Sequence, residues 1–241
     1  MKEQILGVNV NMQSEEELMQ LIDSDIRNGR KSRIVAINPE KVMMASKNSE
    51  LMELLNESTY QIPDGIGISV ASRLRGGEIK GRVTGIGMMD ALLKLANKNS
   101  YRIFMYGAKK DTVELAAASI QGKYPKLVIA GMLDGYEKDM DKVARTINAA
   151  KPHILFVALG SPKQELFIRE NMERLDVNIF QGVGGSFDVY SGTVKRAPVV
   201  FQKTGTEWLF RLVSQPSRIK RQIALPQFLF KALRAKDQGS L

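Results

Sequence analysis

Ile154-Leu-Phe-Val-Ala-Leu159 runs directly into Gly160-Ser161-Pro162-Lys163-Gln164-Glu165. The first six residues form the longest uninterrupted apolar run in the chain. Such a run, bounded by glycine and proline, reads as a short strand buried on both faces. The next six residues read as a helix start: Ser161 as N-cap, Pro162 at the first helical position, and a helix to Leu175. A strand feeding a helix through a tight turn is half of a βαβ unit.

The same alternation extends outward in both directions. Downstream, Val177–Gly182 reads as the last strand. Upstream, Ser14–Asn28 reads as a helix opened by a Ser14/Glu17 capping box. Arg33–Ile37 is a strand ended by Asn38-Pro39, and a helix follows through Val42, Met43 and Leu51–Leu55. Tyr60–Pro63 is a strand running into the turn Asp64-Gly65, with helices over Gly67–Leu74 and Gly87–Lys98. Arg102–Tyr106 and Leu127–Gly131 are strands, followed by helices over Thr112–Lys123 and Lys138–Ala150. This order predicts an α/β fold, a parallel sheet with helices on both faces. The boundaries predicted are a core over residues 1–195 and a basic amphipathic appendage over 196–241.

Composition narrows the chemistry. Apolar residues make up 44% and charged residues 25% of the 241, as in ordinary globular proteins. There is no cysteine and a single histidine, His153. That removes thiolate chemistry, and a multi-histidine metal centre or a Ser-His-Asp triad would have to rest on His153 alone, which argues against both. His153 precedes a strand and reads as a packing or surface residue. The first ten residues lack the apolar core of a signal peptide, and no stretch reaches spanning length. The chain is therefore expected to be cytoplasmic. Of its net charge of +9, +8 falls between Lys195 and the C-terminus, where ten Lys/Arg face two acids. Such a tail suits phosphates, whether of a nucleotide, a nucleic acid or an anionic lipid. It reads as short helices over Thr204–Gln215, Ser217–Leu225 and Phe228–Ala235, divided by Pro216 and Pro226. In the last, Phe228, Leu229 and Leu233 are expected to enter a membrane interface, with Lys231 and Arg234 at the headgroups; packing on the body is the alternative.

In open α/β sheets, ligands bind beyond the carboxyl ends of the strands. The residues predicted there are Asn38, Asp64-Gly65, Gly107-Ala108, Gly160-Ser161 and the string GVGGSFDVYSG, Gly182–Gly192. Gly182, Gly184 and Gly185 permit close backbone approach to a ligand, or simply make a tight turn. Asp64 reads as a turn aspartate or as a carboxylate able to take a proton from an attacking hydroxyl. Gly65-Ile66-Gly67 is not a dinucleotide fingerprint, because Val70 occupies the third glycine position. GAKKDT at Gly107 lacks the ending of a P-loop.

Seven strings in this order and spacing carry a resemblance. They are INPEKVM (Ile37–Met43), IPDGIGI (Ile62–Ile68), RVTG (Arg82–Gly85), LFVALGSPKQE (Leu155–Glu165), GVGGSFDVYSG, KRAP (Lys195–Pro198) and EWLFRL (Glu207–Leu212). The chain resembles the WecG/TagA/CpsF glycosyltransferase family along almost its whole length, most closely its teichoic-acid branch. The resemblance implies a Rossmann-like core with a C-terminal appendage, and inverting transfer of N-acetylmannosamine from UDP-ManNAc to GlcNAc-diphospho-undecaprenol through a β-1,4 linkage. It implies Asp64 as catalytic base. Asn38, Arg82 and Gln164 are implied near the transferred sugar and phosphates, with Gly107, Gly184 and Gly185 in the binding loops. Tyr136 and Asp188 are implied at the uridine, and Arg211, Arg218 and Arg221 around the pyrophosphate. No cofactor and no metal is expected; the UDP-sugar is a substrate. The expected partners are the donor, the undecaprenyl-diphosphate-linked GlcNAc acceptor and the anionic inner face of the cell membrane, with a homo-oligomer possible and no nucleic acid. Two positions depart from the family pattern: Ala36 replaces a common threonine and Gly87 a usual aspartate. The competing readings are another UDP-sugar donor (the uronic acid or glucose), a non-catalytic basic protein that binds membrane or nucleic acid, and a nucleotide-dependent oxidoreductase.

Overall fold

A computed structural model of the chain describes residues 1–198, 200–201, 206–207, 209–210 and 224–235. The chain opens with a hairpin, β1 (Lys2–Ile5) and β2 (Val8–Asn11), and then α1 (Glu15–Arg27). Next come β3 (Ser32–Ile37), α2 (Pro39–Ala45), α3 (Ser49–Asn56), β4 (Tyr60–Pro63), α4 (Ile66–Leu74) and α5 (Gly85–Asn99). The second half holds β5 (Arg102–Gly107), α6 (Lys110–Lys123), β6 (Val128–Leu133), α7 (Met140–Ala150), β7 (Ile154–Ala158), α8 (Lys163–Asn171), β8 (Ile179–Gly182) and α9 (Ser186–Tyr190). A last helix, α10, covers Ala224–Arg234.

The main sheet has six strands in the order β4-β3-β8-β7-β5-β6, and every pairing is parallel. Alternate side chains enter opposite layers. Ile103, Met105, Ile154, Phe156 and Ile179 pack with α1, α5 and α6. Phe104, Tyr106, Leu155, Val157 and Phe180 face α7 and α8. With helices on both faces, both sides of each inner strand are buried, which is why these strands are almost wholly apolar.

Several boundaries differ from the sequence reading. The hairpin β1–β2 has no counterpart there, although the alternation Val8-Asn9-Val10-Asn11 was the available signal. The helix expected through Val42 and Leu51–Leu55 is two helices, since the Asn48 side chain accepts from the Leu51 N–H and restarts the chain. Helix α8 begins one residue late. Pro162 is its N-cap and Ser161 makes no cap, because the Gln164 N–H bonds back to the Gly160 carbonyl at 2.9 Å. Regular α8 ends at Asn171, short of Leu175. Pro226 lies inside α10 rather than ending a helix.

The appendage corrects a larger expectation. Phe228 is 0% exposed and packs, with Ala232 and the partly buried Leu229, into a cluster built by β1, β2, β3, α2 and α4. That face of α10 covers the body and is not available to a membrane. Contact is close at Gly67, where a Cβ would lie 2.6 Å from both Leu225 Cδ1 and Pro39 Cγ. The second glycine of Gly65-Ile66-Gly67 thus admits a helix, not a nucleotide. The expected helices over Thr204–Gln215 and Ser217–Leu225 lie largely outside the described residues.

Candidate active site

The candidate residues gather along the carboxyl edge of the sheet. After β5 the chain moves outward to β6, whereas after β7 it moves the other way to β8. Neighbouring strands whose connections diverge open a crevice at their carboxyl ends. Gly107 ends β5 at that point with φ of +116°. A Cβ there would meet the Ala158 carbonyl oxygen at 2.5 Å, so only glycine fits. The loop after β6 closes on the same place: the Gly135 N–H donates to the Ala108 carbonyl at 2.9 Å. That leaves Tyr136, 68% exposed, standing out at the rim.

Asp64 follows β4 directly and is held by its own N–H, which donates to the Ile37 carbonyl at 2.8 Å. Next to it the Val83 N–H donates to the Pro63 carbonyl at 2.9 Å. This bond lays the Arg82–Val83 segment along the end of β4. Gln181 of β8 donates to the Gly85 carbonyl at 2.9 Å. A Cβ on Gly85 would lie 3.3 Å from Ala36 Cβ and 3.9 Å from Asp64 Oδ2. The structure therefore brings Asp64, Arg82, Ala36 and Gly85 to one spot. Asn38 sits one strand away, capping α2 by accepting from the Lys41 N–H at 2.9 Å. Gly87 is the third residue of α5 and its N–H donates to the Thr84 cap at 3.0 Å. A Cβ there would come within 2.7 Å of Thr84 Oγ1, the cap of α5, and 3.9 Å of Glu15 Oε2.

Arg82 makes an ion pair at 2.5 Å with Glu207, and the two side chains are largely buried. Glu207 belongs to the string EWLFRL, so the appendage touches the site edge. Arg211, Arg218 and Arg221 lie outside the described residues. Gln164, although expected in the pocket, is 3% exposed. Its Oε1 accepts from the Gly184 N–H at 3.0 Å, and its Nε2 donates to Glu165 Oε1 at 3.1 Å. It joins the turn after β7 to the glycine loop after β8. Gly184 has φ of +52°, and Gly185 caps α9, which carries the half-buried Asp188. Lys41 and Glu165 are absent from the site read in the sequence. A lysine among the buried Val42, Met43 and Ala45 of a helix was the available signal. His153 lies at the opposite sheet edge, where its Nδ1 accepts from the Arg102 N–H at 3.0 Å, as a packing role requires.

A half-buried polar cluster ties α9 to α5 and α6. Asp90 of α5 accepts from Tyr124 Oη at 2.8 Å and Tyr190 Oη at 2.9 Å. It also pairs with Lys123 and Lys94. Burial alone would raise its pKa, but hydrogen bonds from Lys123, Tyr124, Lys94 and Tyr190 hold the carboxyl far below its ordinary 3.8. A depressed folded value means stabilisation that is complete above the unfolded pKa and is lost as pH falls toward the folded one. Asp90→Asn should cost about 2 kcal/mol near neutrality. It should also flatten the loss of stability on acidification from about pH 5 to about pH 3. Urea midpoints of both proteins across that range check this. An unchanged acid slope in the variant contradicts it.

Among the described residues no group of three His, Cys, Asp or Glu could hold a metal ion. No helix among them is long and apolar enough to cross a membrane.

Known proteins match this chain along most of its length. Residues 3–240 match the model of the Glycosyl transferase WecG/TagA/CpsF family. A Bacillus subtilis (strain 168) protein is 40% identical over 201 residues, 83% of this chain and 78% of its own. A Staphylococcus aureus (strain MW2) protein is 33% identical over 237 residues, 98% of this chain and 93% of its own. Both are named N-acetylglucosaminyldiphosphoundecaprenol N-acetyl-beta-D-mannosaminyltransferase.

Proposed function

Because the chain belongs to the WecG/TagA/CpsF glycosyltransferase family, we propose that it transfers N-acetylmannosamine from UDP to GlcNAc-diphospho-undecaprenol, as the names of its relatives describe. The observation that carries the reading is the collection of Asn38, Asp64, Arg82, Gly107 and Gly184 along one carboxyl sheet edge, on strings that belong to the family. In the reaction an acceptor hydroxyl oxygen bonds to the anomeric carbon as the bond from that carbon to the UDP oxygen breaks. Asp64 takes the hydroxyl proton, and UDP departs with the negative charge. Inversion results from attack opposite the leaving group, and the resemblance implies a β-1,4 product.

The departing diphosphate needs positive charge or directed donors. Arg82 is assigned to this region, together with Arg211, Arg218 and Arg221. Planar guanidinium forks suit phosphate oxygens and take the place a metal fills elsewhere. Tyr136 at the crevice rim and Asp188 on α9 are assigned to the uridine. The acceptor's lipid puts the reaction at a membrane surface. Phe230 and Leu233, exposed on α10 beside Lys231 and Arg234, support contact there. UDP release from UDP-ManNAc, with a short-chain GlcNAc-diphospho-lipid as acceptor, should proceed undiminished in EDTA. Loss of turnover on chelation, restored by magnesium or manganese, would replace the arginine assignment with a metal.

A further inference from the structure

The proposed chemistry makes no use of a buried ion pair beneath the loops. Lys41 Nζ lies 2.8 Å from Glu165 Oε1, with side chains 9% and 6% exposed. Withdrawing two charges from water costs as much as pairing returns, and a matched apolar pair often serves stability equally well. Only one carboxylate oxygen is used. Glu165 Oε2 is buried with no hydrogen-bond partner among the described residues. Stability does not explain why a carboxylate stands here.

Its connections do. Glu165 Oε1 accepts from Gln164 Nε2, and Gln164 Oε1 accepts from the Gly184 N–H. A side-chain amide has two orientations of nearly equal shape. In the flipped one, the Gln164 oxygen would face the carboxylate and its NH2 would face the Gly184 N–H, so both contacts would be repulsive. An ionised carboxylate only accepts, so it selects the other orientation. Burial opposes that charge, and Lys41 outweighs it, holding the carboxyl below its ordinary value. Lys41 itself sits on the turn that Asn38 caps. A Cβ on Gly182 would lie 2.5 Å from Gln164 Nε2, so the amide is seated directly against the end of β8. One ion pair thus joins the loops after β3, β7 and β8.

We propose that Lys41 and Glu165 are positioning residues: the pair sets the amide of Gln164 and through it holds the Gly182–Gly185 loop in the shape that takes the nucleotide-sugar. The assignment rests on the transferase reading for its ligand. Two double variants test it, Lys41→Met with Glu165→Leu, and Lys41→Met with Glu165→Gln. Both remove the charges and keep the volume, but only glutamine leaves an acceptor for Gln164. The leucine variant should melt near the wild type yet lose about 10- to 100-fold in UDP affinity and turnover. Its Gly184 amide should exchange faster with solvent. The glutamine variant, whose amide can accept from Gln164 but can also turn and donate, should lose less than the leucine variant in all three. A leucine variant with wild-type UDP affinity and wild-type Gly184 exchange overturns the proposal. Should the leucine variant melt early, the glutamine variant decides against Glu165→Gln alone, which keeps the acceptor and leaves Lys41 unpaired; equal loss in both overturns it too. Gly184 exchange is read without substrate, so a wild type that releases no UDP would refute the transferase reading and leave this measurement standing.

Discussion

Asp64→Asn should lower UDP-sugar turnover about 10²- to 10⁴-fold with the fold intact. The substitution keeps size and polarity and removes the proton acceptor. The bond from the residue 64 N–H to the Ile37 carbonyl is made by backbone and is kept by the substitution. The loss should fall on kcat more than on KM, since a general base acts in the transition state and contributes little to ground-state binding. Titration of UDP into the variant should give an affinity within a few-fold of wild type. Turnover within a few-fold of wild type would remove Asp64 from the mechanism and leave it a turn residue at the end of β4.

Phe228→Ala is expected to have the largest effect on stability, about 3–5 kcal/mol. Its ring is fully buried among β3, α2 and α4, and removing it leaves a cavity between the appendage and the body. Two residues on, Phe230 is 57% exposed, and Phe230→Ala should change stability by no more than about 0.5 kcal/mol. Urea unfolding of the two variants compares them directly. Equal and small effects would mean that α10 is not part of the folded unit and would return Phe228 to the membrane-facing role read from the sequence. The same packing bears on the site, because α10 rests on α2 and α4. Those helices follow Asn38 and the Asp64-Gly65 turn.

The parallel sheet was legible because its signal is local. Short apolar runs such as Arg102–Tyr106 and Ile154–Leu159 end at glycine or at Asn-Pro, and helical periodicity resumes within a few residues. The candidate loops were legible for the same reason, since a parallel sheet puts every strand's carboxyl end on one edge. What escaped was decided by tertiary contact. Phe228 and Leu229 have the same spacing whether they meet lipid or a cluster formed by β3, α2 and α4. Lys41 and Glu165 stand 124 positions apart, and nothing local links a lysine on one helix to a glutamate on another. Gln164 was identified by family likeness, and its bonds to Gly184 and Glu165 were not. Nothing local in the sequence shows that this amide bonds Gly184 and Glu165. Ser161 failed as a cap because a backbone bond from Gln164 to Gly160 had already taken the donor.

The proposed reaction is defined by the sugar moved and by what receives it. The most direct measurement incubates the full chain with UDP-ManNAc, UDP-GlcNAc or UDP-glucose and a short-chain GlcNAc-diphospho-lipid, and weighs the lipid product by mass spectrometry. The expected result is a lipid heavier by one N-acetylhexosamine with UDP-ManNAc, UDP release in equal amount, and little product from the other donors. A lipid of unchanged mass with every donor, or a product formed faster from UDP-glucose, would contradict it.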